Sequence, residues 1–251
     1  IVFADPEFGT PTTGNSVRNW LNLPAVTPLP GTATEAAAIL PSLKQLAKEN
    51  VQAHLGEDAS EERLAAVLNP QTLVVSSHGF FLPDYEFRRT TTSFHQNLNL
   101  LNNRNLEARI PSPLSRCGLL LSNANKRGAD PGNDGIVTGQ EISRLQLNGT
   151  DLVVLSACET GLGDVRSGES VAGLRQAFQF AGAKSVIASL WQVDDRSTAR
   201  LMNDFFGKLA DGSSRTDALR EAQVSRIEAR RQRNGAAHPF FWAAFTLTGQ
   251  N

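Results

Sequence analysis

One histidine and one cysteine occupy equivalent positions in two similar stretches of sequence. Residues 73–79 and 153–159 each begin as a short apolar run, and the first leads to His78 while the second leads to Cys158. Ligands of open α/β sheets bind beyond the carboxyl ends of the strands, so both side chains are expected to project into one crevice. A neighbouring imidazole can take the proton of a thiol and later protonate a leaving amine. The pair therefore has the groups that acyl transfer requires.

Gly79 follows His78 directly and is a third candidate for the site. Because glycine has no side chain, its backbone N–H can approach a substrate carbonyl closely. Together with the N–H of Cys158 it is expected to form an oxyanion hole. Single buried cysteines and histidines are more often core residues than catalytic ones. It is the equivalent placement of the two that favours catalysis.

Apolar runs with strand character alternate with helical stretches along nearly the whole chain. This alternation predicts parallel strands joined by helical crossovers. We expect an α/β fold with a mostly parallel sheet of about six strands and helices on both faces. The predicted strands are residues 1–4, 51–55, 72–77, 152–157, 185–190 and 242–248.

Two capping boxes are predicted from the spacing of Thr or Ser and Glu. Thr32 with Glu35 is expected to start a helix that runs to about residue 49, and Thr138 with Glu141 is expected to start a short one. The segment 83–134 does not follow the alternating pattern, because it is long and polar with one apolar run at 117–121. We interpret it as an insertion, of the kind that often forms binding loops or lids.

Composition limits the possible partners and the compartment. The 251 residues include 24 Lys and Arg and 25 Asp and Glu. The chain therefore has no net positive charge that would attract nucleic acid or an anionic membrane. Two cysteines are too few for a disulfide framework, which favours the reducing cytoplasm. The length suits a single domain over 1–251. Because the chain opens at Ile1 without a charged leader, we expect a domain cut from a longer protein.

No cofactor or metal site is expected. Residues 5–14 have neither the glycine spacing of a dinucleotide fingerprint nor a phosphate loop. Residues 130–141 approach a calcium loop, but Gly132 stands where a ligand belongs and no helix is evident before it. The arginines between Arg226 and Arg233 are interpreted as the solvated face of a helix.

Several blocks of the sequence resemble one known family. They are SSHGF at 76–80, SACETGLG at 156–163, GESVAGL at 168–174, AGAKSVIASLW at 181–191, VDD at 193–195 and HPFFW at 238–242. These blocks look like the CHAT domain, a caspase-like cysteine peptidase domain of the clan of caspases and separases that is usually fused to tetratricopeptide repeats. The resemblance covers nearly the whole chain and implies a caspase-like three-layer sandwich.

The resemblance also implies functional roles. Cys158 is the nucleophile, His78 is the general base and acid, and the substrate is a protein partner. Tetratricopeptide repeats outside this chain are expected to regulate cleavage, as in bacterial defence systems. An acidic residue after Trp191 is expected to line the pocket for the residue before the cut, which points to Asp194 with Asp195 as second choice. Either aspartate is also suited simply to favour the start of a helix.

Two departures from the caspase pattern keep other functions open. Ser156 stands where the caspase signature has Gln, and the histidine lies farther upstream of the cysteine than the usual distance of about 50 residues. A non-catalytic signalling or scaffold domain with the same fold is the main alternative to an endopeptidase. A small-molecule hydrolase or acyltransferase is a third.

Overall fold

The computed structural model describes residues 1–11, 23–48, 50–82, 112–126, 133–156, 158–159, 169–191 and 195–250, and for 158–159, 169–171 and 195 it describes the backbone alone. Among these residues the strands and helices are β1 (Val2–Pro6), α1 (Pro30–Leu46), β2 (Ala53–Gly56), α2 (Glu61–Ala65), β3 (Thr72–Ser76), β4 (His78–Phe81), β5 (Cys117–Leu120), β6 (Ile136–Thr138), α3 (Gly139–Ile142), β7 (Leu152–Leu155), β8 (Cys158–Glu159), α4 (Glu169–Phe180), β9 (Ser185–Ser189), α5 (Asp195–Ala210), α6 (Arg215–Asn234) and β10 (Phe245–Gly249).

Six strands form the main sheet in the order β10-β9-β7-β3-β1-β2. Neighbouring strands are parallel except for β10, which runs antiparallel to β9 at one edge. The central strands β3, β7 and β9 consist mostly of buried apolar residues, as expected for strands covered on both faces. The predicted α/β fold with a mostly parallel six-stranded sheet is confirmed.

Side chains alternate between two cores, because successive residues of a strand point to opposite faces. Val74 of β3 faces the core covered by α1, α5 and α6. Leu73 and Val75 face the core covered by α2, α3 and α4. These two layers of helices bury both faces of the sheet.

A second sheet of four short strands, in the order β6-β5-β4-β8, continues from the main sheet. Residues 72–77 and 152–157 are predicted to be single strands that stop at His78 and Cys158. Instead each apolar run ends early, and a new strand begins at the reactive residue: β3 gives way to β4, and β7 gives way to β8. The predicted strand ends are therefore wrong, because both segments of the chain pass from the main sheet to the second sheet at this point. The apolar run near 117–121, inside the predicted insertion 83–134, supplies β5.

One predicted capping box is present and the other is not. Thr138 and Glu141 form the reciprocal cap of α3. The box predicted for Thr32 and Glu35 is wrong, because α1 already begins at Pro30, a residue whose fixed φ suits the first turn of a helix. Glu35 is thereby left inside α1. No helix in the described part of the chain is both long and apolar enough to cross a membrane.

Candidate active site

The backbone of His78 pairs directly with that of Cys158. The two residues are partners in the parallel ladder of β4 and β8, and Gly79 is opposite Glu159 in the same ladder. Neighbouring strands lie about 4.8 Å apart. The structure therefore brings together the two residues that the sequence predicts to act as a pair, although they are far apart in the chain.

His78 is nearly buried, with 7% of its surface exposed. Its Nε2 lies 2.8 Å from the carbonyl oxygen of Thr27. A carbonyl oxygen can only accept, so Nε2 carries a proton and Nδ1 is the nitrogen that takes up a proton when the neutral ring acts as a base. The ring of Phe8 packs against the imidazole with centroids 5.2 Å apart and a tilt of 34°. These two contacts fix both the tautomer and the orientation of His78.

Asn125 holds the segment that carries the Thr27 carbonyl. Its Oδ1 accepts a hydrogen bond from the N–H of Val26 at 2.9 Å, and its Nδ2 donates to the carbonyl of Val26 at 2.9 Å and to that of Gly9 at 3.0 Å. Both atoms of the Asn125 amide are thus used to bind the backbone of the residue before Thr27. The side chain is 8% exposed, which shields these hydrogen bonds from water.

A buried carboxylate lies close to the strand that leads to Cys158. The hydroxyl of Ser156 donates to Glu35 Oε2 at 2.9 Å, and the N–H of Ser156 donates to the carbonyl of Val75 at 3.0 Å. Glu35 is 2% exposed. The end of β7 is therefore tied both to β3 and to α1, and this holds the crossing point between the two sheets in place.

Gly79 has strand neighbours on both sides, with Leu119 of β5 opposite it on one side and Glu159 of β8 on the other. The hydroxyl of Ser77, the residue between β3 and β4, donates to the carbonyl of Leu120. These contacts fix the backbone of the SSHG segment against β5. Gly79 and Cys158, whose N–H groups are the expected oxyanion donors, thus lie on neighbouring strands in successive residue pairs of the ladder.

The second cysteine is unsuited to act as a nucleophile. Cys117 is fully buried, and burial raises the pKa of its thiol to about 12. Its Sγ lies 3.9 Å from the carbonyl oxygen of Leu114. At neutral pH Cys117 is therefore a protonated core residue, and Cys158 remains the candidate nucleophile.

The predicted specificity residues lie at the margin of what the structure describes. Asp194 lies outside the described residues, and Asp195 is the first residue of α5, with its backbone alone described. Residues 130–132 of the calcium-like segment also lie outside, while Glu141 acts in the cap of α3. Among the described side chains no group of three or more His, Cys, Asp or Glu is arranged to hold a metal ion.

Three parts of the site are not anticipated by the sequence. The Thr27 carbonyl is a backbone atom that any residue can supply, so no residue type marks it. Asn125 belongs to no recognisable sequence motif, and the spacing of Glu35 from Thr32 suggests a helix-capping residue instead. Only the structure reveals them. Asn125 and Glu35 are nearly buried and make polar contacts, and the Thr27 carbonyl contacts the nearly buried His78.

The model of one protein family matches almost the entire chain. The family is described as the CHAT domain, and the match covers residues 1–250. The human protein named tetratricopeptide repeat protein 28 is 30% identical over 116 residues, which are 46% of this chain and 4% of that protein. The chain thus spans a very small part of this curated relative.

A solved structure also shows a weak similarity. The pyridoxal kinase from Staphylococcus aureus, in complex with AMP-PCP and pyridoxal, overlaps with a TM-score of 0.31 and 13% sequence identity. The overlap covers 85% of this chain and 92% of the kinase chain. An overlap of this quality carries no information on the activity of this protein.

Proposed function

We propose that this chain, which belongs to the CHAT domain family, is a cysteine-type endopeptidase domain that cleaves a protein partner through Cys158 and His78. The observation that carries the proposal is the direct pairing of these two residues between β4 and β8. Directly paired residues of a sheet project their side chains to the same face. We infer that this pairing brings the Cys158 thiol within reach of proton transfer to the His78 imidazole.

The proton and the acyl group move in a defined order in this proposal. His78 Nδ1 takes the proton of the Cys158 thiol, and the thiolate attacks the scissile carbonyl. The resulting imidazolium is stabilised by the Thr27 carbonyl, which accepts from Nε2. His78 then returns the proton to the leaving amine. Water hydrolyses the thioester with His78 as the base, which releases the acid and restores the thiol.

The oxyanion of the tetrahedral intermediate needs preorganised donors. We assign this role to the backbone N–H groups of Gly79 and Cys158, because the ladder of β4 and β8 brings these two residues close together. Donors of this kind typically contribute about 2.7–4 kcal/mol of transition-state stabilisation. The chemistry needs no cofactor or metal, because nucleophile, base and donors are all supplied by the chain.

The residue before the cut is proposed to be basic. Asp194, with Asp195 as second choice, would supply the carboxylate that binds it, in line with the resemblance to related peptidases. Regulation is assigned to tetratricopeptide repeats outside this chain, and the similarity to a human protein named for such repeats supports that association. We place the protein in the reducing cytoplasm, because its two cysteines are too few for a disulfide framework. The resemblance to its family also points to a bacterial defence or signalling system.

Substrate cleavage can be tested in cells that express the natural protein carrying this chain. New protein N-termini are identified by mass spectrometry for the wild type, Cys158→Ala and His78→Ala, each with and without the activating signal. The proposal predicts cleavage products that require both residues and that follow Arg or Lys. Identical products from Cys158→Ala contradict it, and the absence of products from every form favours a scaffold domain.

A further inference from the structure

Arginines from two helices surround a small cavity. The cavity lies between the start of α5 and the end of α6 and has a volume of about 120 Å³. Its lining includes Ser197, Arg200, Arg226, Arg230, Arg233 and Phe241. The sequence predicts a solvated helix face for the arginines of this region, whereas the structure gathers three of them with Arg200 around one concave site.

Most of the positive charge of this cavity has no ion-pair partner among the described side chains. Arg226 pairs with Asp204 at 2.6 Å. Arg200, Arg230 and Arg233 form no ion pair with any residue in the described ranges. Glu228 is two residues from both Arg226 and Arg230, a spacing that places it on a different side of the helix.

Two of the arginines are held in place by the protein. The Arg230 guanidinium carbon lies 3.4 Å from the centroid of the Phe241 ring, which is close cation–π stacking. The Nε atoms of Arg226 and Arg230 are buried, and no acceptor among the described residues bonds to them. Buried donors without acceptors are energetically unfavourable. An anion in the cavity would offset the repulsion between the guanidinium groups.

The cavity belongs to the same edge of the main sheet as His78 and Cys158. Strands β7 and β9 are parallel neighbours, so the carboxyl end of β9 lies beside the crossing that leads to Cys158. Trp191 follows β9, and its Nε1 donates to the carbonyl of Phe240 at 3.1 Å. Phe241, the next residue, stacks with Arg230. The cavity is therefore connected to the end of β9 through Phe241, Phe240 and the hydrogen bond from Trp191.

We propose that this arginine pocket binds an anionic side chain, a carboxylate or a phosphate, of the protein substrate. Guanidinium groups bind such oxyanions through paired N–H donors. The volume suits one oxyanion group but not a nucleoside, and the nearly neutral chain offers no field for a nucleic acid backbone. The identity of the occupant as substrate rests on the proposed function, whereas the binding of the anion does not.

Anion binding is measured with three tripeptides that differ at the central residue, which is phosphoserine, glutamate or glutamine, each acetylated and amidated at its ends. They are titrated into the 251-residue chain carrying Cys158→Ala, and the arginine Nε–H resonances are followed by NMR. We expect the phosphoserine or glutamate peptide to bind at least about tenfold more tightly than the glutamine peptide. The stronger of the two identifies the phosphate or the carboxylate as the preferred group.

Charge-neutralising variants locate the site. Arg200→Gln and Arg233→Gln change exposed side chains and preserve folding, and each is expected to weaken binding about tenfold. Arg231→Gln is the matched control, because Arg231 is exposed on the same helix but does not line the cavity. Equal binding of all three peptides, or equal weakening by Arg231→Gln, overturns the proposal. These titrations involve no cleavage, so a failed peptidase assay leaves their outcome unaffected.

Discussion

His78 and Cys158 are direct partners in the parallel ladder of β4 and β8. Both strands are short continuations of longer strands of the main sheet, so the catalytic candidates are held by backbone hydrogen bonding rather than by free loops. His78 is additionally held through Nε2 by Thr27. The two candidates are thus positioned mainly by backbone pairing, and the Thr27 carbonyl adds a contact from a separate segment that Asn125 holds.

Asn125→Asp is expected to disturb His78 through Thr27. Aspartate keeps the acceptor for the Val26 N–H but replaces the two donations from Nδ2 with a carboxylate facing two carbonyls. The lost hydrogen bonds correspond to roughly 2–3 kcal/mol of folding free energy. We also expect the His78 ring to become a mixture of tautomers, which is measured by the ¹⁵N chemical shifts of the imidazole.

The tautomer of His78 distinguishes a role of Asn125 in positioning His78 from a role in stabilising the fold alone. Leu68→Ala serves as a control, because Leu68 is exposed and lies outside the site; it should leave both the tautomer and the reactivity of Cys158 unchanged. An Asn125→Asp variant that is destabilised but keeps the Nε2–H tautomer would show that Asn125 supports the fold alone.

Ser156 and Glu35 are expected to be energetically coupled. Ser156→Ala removes a buried donor from the Glu35 carboxylate and should lower the free energy of unfolding by about 1–3 kcal/mol. Glu35→Gln keeps an acceptor of the same shape and should cost less. Urea unfolding of both single variants and of the double variant gives the coupling energy. Strictly additive effects would mean that this hydrogen bond contributes nothing to stability.

Cys117 makes stability depend on alkaline pH. Burial raises the pKa of its thiol to about 12 in the folded state, whereas an exposed thiol ionises at much lower pH. The folded state therefore holds a proton that the unfolded state has lost, and stability falls by about 1.4 kcal/mol per pH unit from about pH 9 towards pH 12. Urea unfolding from pH 8 to 10 should show a steeper decline for wild type than for Cys117→Ala. Parallel declines would mean that the folded thiol titrates normally.

Most of the fold can be predicted from the sequence, because strands buried on both faces are continuous apolar runs. The runs around Val74, Val154 and Ile187 are such strands, and each is found in the main sheet. The second sheet cannot be predicted in the same way. Strand β8 has two residues and β6 has three, which is too short for an alternating pattern to be visible.

The dyad can be predicted for a similar reason, since His78 and Cys158 follow equivalent runs. The groups that orient His78 cannot, because Thr27 acts through its backbone and Asn125 acts on that backbone across a long sequence separation. The expected capping role of Glu35 also shows how a local pattern misleads. The chain enters α1 earlier, at Pro30, and tertiary structure then uses the carboxylate to bind Ser156.

Labelling with an acyloxymethyl ketone peptide that bears Arg or Lys beside the reactive group tests the central claim most directly. Mass spectrometry compares wild type with Cys158→Ala and His78→Ala, and with Cys117→Ala and His54→Ala as controls for the second thiol and for a histidine outside the site. We predict one adduct at Cys158 that is absent in Cys158→Ala, forms at least about 100-fold more slowly in His78→Ala, and is unchanged in both controls. An adduct at Cys117, or labelling of Cys158 at an unchanged rate without His78, would contradict a Cys158–His78 dyad.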